Sequence, residues 1–170
     1  YFPSGKMELV GMEAASQKAQ RVLELFRTKD IPIFHIQHIS NKQGATFFLP
    51  GTDGAEIHKS VTPKSGESVI QKHFPNCFRA TSLREQLSDL GVKEITFCGA
   101  MSHMCIDTSV RAAFDLGFRC ILVSDACATK NLEFGGITIE ASKVHAAFMA
   151  ALSAPFAHVI EAKKIETVLV

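Results

Sequence analysis

"FCGAMSHMCIDTSVRAAFDLGF", Phe97 to Phe118, sets the reading of the whole chain. An apolar run ends at Gly99, a short turn follows, and Cys105 opens an amphipathic segment closed by Gly117. Ile106, Val110, Ala113 and Phe114 recur at helical spacing, so the stretch reads as a strand, a turn and a helix in succession. In open α/β sheets, ligands bind outside the carboxyl ends of strands, which is where this turn lies. Ser102 is a candidate N-cap, which places Cys105 in the first helical turn. Unpaired N–H groups and the positive end of the helix dipole favour a thiolate there. The competing reading is a small buried hydrophobe, as most free cysteines are.

Working outward, Ala15, Ala19, Val22, Leu23 and Phe26 give a helix over Met12 to Lys29, with its charged residues on the other side. "IPIFHIQHI", Ile31 to Ile39, is near-continuously apolar and predicts a strand covered on both faces. "ESVIQK" predicts a second strand ending at Lys72. Ser82 with Glu85 forms the pattern of a capping box for a helix carrying Leu83, Leu87 and Leu90, stopped at Gly91. "EITFCGA" and "RCILVSDA" are the third and fourth strands. A helix over Thr138 to Leu152 follows from Val144, Ala147, Phe148, Ala151 and Leu152, and "AHVIEAKKI" is the last strand. This alternation predicts a single α/β domain over residues 1–170, three-layer α/β/α, with a mainly parallel, doubly wound sheet. The helix at Met12 has no strand before it, so a right-handed crossover predicts a first strand upstream of Tyr1.

At 170 residues, with 46% hydrophobic and 21% charged residues, the chain is long enough to bury a core without staples. A net charge of +1 with no Lys/Arg block argues against a nucleic-acid groove or an anionic membrane surface, leaving small molecules as the expected partners. The five cysteines are odd in number and contain no C-x-x-C pair, which predicts reduced thiols in a cytoplasmic protein.

Lys72, the Gly99 to Cys105 turn and Asp125 all fall at predicted strand ends. Lys72 is either a solvated charge or a cation that supports a thiolate. Cys98 and Cys120 lie in apolar strands and read as core. His35 and His38 are three apart on a strand and point to opposite faces, so they do not chelate together. Neither a P-loop nor a G-x-G-x-x-G occurs, which leaves nucleotide binding without support. His73 and His103 flank the candidate site.

"GESVIQKHFPNCFRATSL", "GAMSHMCIDTSVRAAFDLGF" and "VSDACAT" together resemble the isochorismatase-like cysteine hydrolases, a superfamily that includes nicotinamidases and carbamoyl-amide hydrolases. "YFPSGKMEL" is similar to the continuation of that family's first-strand motif, so the likeness spans nearly the whole chain. The resemblance implies Cys105 as nucleophile and Lys72 as catalytic lysine. The third member, an aspartate, is expected ahead of Tyr1; none of Asp53, Asp107, Asp115 or Asp125 sits in its motif. It further implies a cis peptide at Ala100–Met101, with the N–H groups of Met101 and Cys105 forming an oxyanion hole. Tyr1 and Phe47 are expected at the pocket wall and His103 at its rim.

A nicotinamidase metal set would fall at His38, Ser40 and Phe47, which argues against metal and against nicotinamide; no cofactor is expected. Members that hydrolyse the vinyl ether of isochorismate lack the cysteine, so Cys105 favours cleavage of a C–N bond in a small amide or carbamoyl compound. A homo-oligomer is expected from the family. Two other readings stay open: a non-catalytic binding or regulatory protein on the same fold, and a thiol redox enzyme with a resolving partner for Cys105.

Overall fold

The computed structural model describes residues 1–169; Val170 lies outside the described residues. Helix α1, Met12–Thr28, starts after Gly11, whose φ of 74° is readily adopted by glycine alone, and buries Met12, Ala15, Ser16, Ala19 and Val22. Strand β1, Phe34–His38, runs parallel to β2, Ser68–Lys72, in a register that sets His38 beside Lys72. Helix α2, Leu83–Asp89, leads to β3, Glu94–Ala100. A single π-type turn, Ser102–Ile106, then feeds α3, Asp107–Asp115. Strand β4, Arg119–Ala128, pairs in parallel with β3 on one side and with a short later strand, His158–Ile160, on the other.

Alternation along β4 makes the three layers visible. Cys120 and Leu122 pack with Ile106, Val110 and Ala113 on one face, while Ile121 and Val123 pack with Ala19 and Val22 on the other. A strand covered on both sides in this way reads as a continuous apolar run, which "CILV" is. The result is an α/β fold with parallel sheets and helices on both faces. Hydrogen bonding divides the strands into two parallel blocks, β1 with β2 and β3 with β4 and the His158–Ile160 strand; among the described residues no ladder joins β1 to β3.

Several expectations need correction. β1 is shorter than Ile31 to Ile39, and its block is not covered on both faces: Ile36 is 37% and its neighbour Val69 43% exposed. Ser82 precedes α2, but its hydroxyl accepts from Gln86 Nε2 and makes no cap bond, so the capping box does not form. Thr138 lies in a hairpin rather than a helix: β5, Leu132–Phe134, and β6, Ile137–Ile139, pair antiparallel around Gly135 and Gly136. Both glycines have positive φ, as tight hairpin turns require. Helix α4, Ala141–Leu152, begins where the Ala141 N–H donates to Asn131 Oδ1. Its buried residues are Ala141, Val144, Met149 and Leu152, and Ala147 and Ala151 are exposed. The last predicted strand stops at Ile160, making β7 His158–Ile160, and gives way to a 3-10 turn and α5, Ile165–Val168. Phe114 is 39% exposed, its ring set edge-on to Phe156.

One polar knot fixes α1 against the β1–β2 block. Arg27 donates through Nε and Nη2 to both oxygens of Glu67, and Glu67 also bonds His35 Nε2 and the Lys64 N–H. Both the Arg27 and Glu67 side chains are nearly buried, and the Arg27 guanidinium holds the Glu67 carboxyl far below the usual carboxylate range.

Candidate active site

Lys72 ends β2 with its side chain folded inward, and the residue is only 4% exposed. Its Nζ lies 3.3 Å from Cys105 Sγ, 3.0 Å from His38 Nδ1 and 2.9 Å from the Phe74 carbonyl. A lysine ammonium has three N–H donors, so each of these acceptors takes one. Burying a cation is costly unless it is fully bonded, and this one is.

Cys105 reaches the lysine because the chain reverses abruptly after β3. Gly99 has φ 131°, a conformation that side chains disfavour, and the Ala100–Met101 peptide bond is cis. The Met101 carbonyl accepts from both Met104 N and Ile106 N, which closes the π-type turn and holds Cys105 half-buried within it. Met101, not Ser102, is the residue that caps this turn. Ser102 is instead fully buried, its hydroxyl bonded to His145 Nδ1 at 2.9 Å and to the Ala128 carbonyl at 3.3 Å. That contact ties the turn to α4 and to the end of β4. Met101 is also buried, packed with Leu9, Met12 and Ala15.

An aromatic group stands beside the pair. The Tyr1 ring meets Phe48 edge-on at 5.1 Å, and Phe48 meets His38 at 5.4 Å. Burial, with the Cys105 charge as a second cause, pushes the Tyr1 phenol well above its usual range. Phe47 is 37% exposed and lines, with Tyr1, Lys6, Met7 and Leu49, an open cavity of about 320 Å³ that neither Lys72 nor Cys105 lines. Phe48, which the sequence reading passed over, lines the same cavity and is the ring set against His38, the lysine's partner. It is held there with φ 55°, its carbonyl accepting from Ser40 N.

The flanking histidines differ in role. His103 Nδ1 bonds Thr129 Oγ1, and its ring lies near Phe148, while His73 Nδ1 bonds the Ile39 carbonyl. His38 is the histidine against the lysine; desolvation, then the charges of Lys72, His73 and Lys42, push its imidazole down to about 4. His35 is taken up by Glu67. Asp125 does not join the site: it accepts from Ala162 N and pairs with Lys18. Asp107 pairs with Arg111, and among the described residues no carboxylate bonds Lys72 or Cys105. Cys98 is exposed as a residue, although desolvation pushes its thiol up to about 11, whereas Cys77, Cys120 and Cys127 are buried. Among the described residues, no three His, Cys, Asp or Glu side chains cluster as metal ligands.

Residues 1–164 match the family model described as the isochorismatase domain. This chain belongs to the isochorismatase family. Among its isochorismatase relatives, the family protein YddQ of Bacillus subtilis is 50% identical over 159 residues, covering 94% of this chain and 88% of YddQ. A secreted isochorismatase effector of Verticillium dahliae is 35% identical over 131 residues, covering 77% and 68%. The crystal structure of an isochorismatase hydrolase from Oleispira antarctica superposes with a TM-score of 0.90 at 48% identity, covering 94% of this chain and 84% of that one. The motifs "VIQKHFPN" and "GAMSHMC" thus belong to an isochorismatase-family fold, and it brings their lysine and cysteine into contact.

Proposed function

We propose that this chain is a cysteine amidohydrolase that cleaves the C–N bond of a small amide or carbamoyl compound through an acyl-enzyme on Cys105. The observation that carries the reading is the buried Lys72 ammonium 3.3 Å from Sγ at the carboxyl end of the sheet. A cation there stabilises the thiolate, the reactive form of cysteine. Sγ attacks the carbonyl carbon, and the oxygen gathers negative charge against the N–H groups of Met101 and Cys105. The C–N bond breaks as the amine takes up the proton that Cys105 gave up on becoming a thiolate; the hydroxyl of a water then adds to the thioester carbonyl, its other proton returns to sulfur, and acid and thiol are released. These steps balance without a cofactor. Tyr1 and Phe48 form the wall, with Phe47 beyond them, and His103 lies at the rim.

Relatives named as amidases support the reaction class: Nicotinamidase 3 of Arabidopsis thaliana is 27% identical over 157 residues, and N-carbamoylsarcosine amidase of an Arthrobacter species 26% over 136. Among the described residues no helix is long and apolar enough to cross a membrane. We assign the protein to the cytoplasm, as a homo-oligomer with no nucleic-acid or membrane partner; Phe134 and Ile137, 82% and 67% exposed on the β5–β6 hairpin, support self-association.

The test is ammonia release across a panel of small primary amides and carbamoyl compounds, comparing wild type with Cys105→Ala. Acid-quenched samples are read by intact mass for an acyl adduct. Release and adduct that vanish in the variant are expected. Release that survives Cys105→Ala, or none from any compound, overturns the reading in favour of a binding role.

A further inference from the structure

His38 is placed by two elements at once: the β1–β2 register sets it beside Lys72, and Phe48 packs edge-on to its ring. Lysine has no acceptor, so in the 3.0 Å contact the imidazole Nδ1 must accept and Lys72 must donate. A neutral imidazole then carries its one proton on Nε2. The ammonium that takes up the Nδ1 lone pair also opposes a second proton, and the depressed basicity of the ring agrees with this.

Among the described residues Nε2–H has no protein partner, since Nδ1 makes the one side-chain hydrogen bond of His38 there. No buried polar side-chain atom among the described residues lacks a partner, so Nε2 must reach open space. The group is not a base for Cys105, because one nitrogen is engaged and the other is already protonated. What remains is a fixed donor, on a ring that shares its ammonium with the nucleophile.

We propose that His38 is a specificity-determining residue whose Nε2–H, held in this tautomer by Lys72, donates to a second acceptor on the substrate. The preferred amide carries another carbonyl or carboxylate oxygen close to the scissile carbonyl. An unsubstituted alkyl amide leaves the donor unpaired in the bound state, and an unpaired polar group lowers affinity. This rests on the amidohydrolase reading above.

Two measurements separate the claims. In the first, Cys105→Ser protein with ¹⁵N-labelled histidine is examined by long-range ¹H–¹⁵N correlation at pH 7. Nδ1 should be unprotonated and Nε2 protonated, and the Nε2 signal should shift with acetoacetamide but not with butyramide, in which a methylene replaces the ketone. A proton on Nδ1, or an Nε2 signal indifferent to acetoacetamide, overturns the proposal. In the second, kcat/KM is measured for both amides. Wild type should prefer acetoacetamide by about tenfold, mostly through KM, as one hydrogen bond allows. His38→Asn keeps an acceptor for Lys72 but has no group at the Nε2 position, and should lose the preference. His38→Gln restores an N–H there and should regain it. A preference that persists in His38→Asn overturns the donor role. Should neither amide release ammonia while the NMR response holds, the hydrolase reading fails and the donor stands.

Discussion

Replacing Lys72 by methionine removes the ammonium while nearly preserving the volume that the side chain fills. At 3.3 Å, a thiolate and an ammonium attract by about 5 kcal/mol at an effective dielectric of ~20 and by about 1.3 kcal/mol at the bulk-water value. Lys72 is buried and Cys105 half-buried, so the true figure falls between these limits. Even the smaller one corresponds to a factor of nearly ten. A less stabilised thiolate is a better nucleophile, which returns roughly half of the loss on a logarithmic scale. The net expectation at pH 7 is a drop of between about threefold and hundredfold in the rate at which iodoacetamide labels Cys105. Stability should change far less. Methionine leaves His38 Nδ1 and the Phe74 carbonyl unpaired, at about 1–3 kcal/mol each, but it also removes the desolvation cost of a buried charge. Labelling is followed by peptide mapping, with urea unfolding as the control for the fold. A Cys105 rate unchanged in folded Lys72→Met protein would show that the lysine does not support the thiolate.

Among the five cysteines of the wild-type protein, Cys105, the one beside Lys72, should be alkylated first; Cys98 is exposed as a residue, but desolvation pushes its thiol up to about 11. Burial pushes the Cys77 thiol up and the Cys120 thiol to about 11, so both should react slowly; faster labelling of Cys98 than of Cys105 would contradict the assignment of the nucleophile. Glu67→Gln should cost about 3 kcal/mol in urea unfolding, because it leaves nearly buried Arg27 without its two-point partner, and a loss below about 1 kcal/mol would count against that knot. His38 titrates near 6.5 when unfolded and about 4 when folded, so between those values the unfolded chain binds the proton and stability falls with acid. Discounted for the ring's partial exposure, this is roughly 1–2 kcal/mol, and the pH 7 to pH 5 drop in urea stability should shrink by that amount in His38→Asn.

The strand, turn and helix around Cys105 were legible because each has its own local signal: an apolar run, a glycine and a 3.6-residue period. Lys72 was legible as the last residue of an apolar strand. What escaped depended on pairing at a distance. Ser102 resembles an N-cap locally, but its partner His145 lies 43 residues away on α4, and that contact decides its orientation. On the sequence alone His38 stands out only as a candidate metal ligand; its contact with Lys72 needs the parallel register that sets the two side by side. In the Phe47–Phe48 pair composition is silent on which ring turns inward, and the left-handed backbone at Phe48 settles it. The β5–β6 hairpin has strands of three residues, too short for a period of two to stand out, although Gly135–Gly136 was a readable turn.

The register of β4 against β3 has a consequence for how this chain tolerates change in length. Phe97 faces Leu122, yet Gly99, two residues on, faces Cys127, five residues on, so β4 carries surplus residues between its two ladders. Upstream of that surplus, deletion of one residue would swap the faces of the alternating Cys120–Val123 run and turn each layer's side chains into the other. Within Ser124–Ala126 the pairing with β3 is already interrupted, so a deletion there can be taken up without rephasing either ladder. The half of the sheet that holds the core and the half that carries Gly99 and Ala100 toward Cys105 can therefore diverge separately. Single-residue deletions scanned along β4 should be tolerated best at this seam.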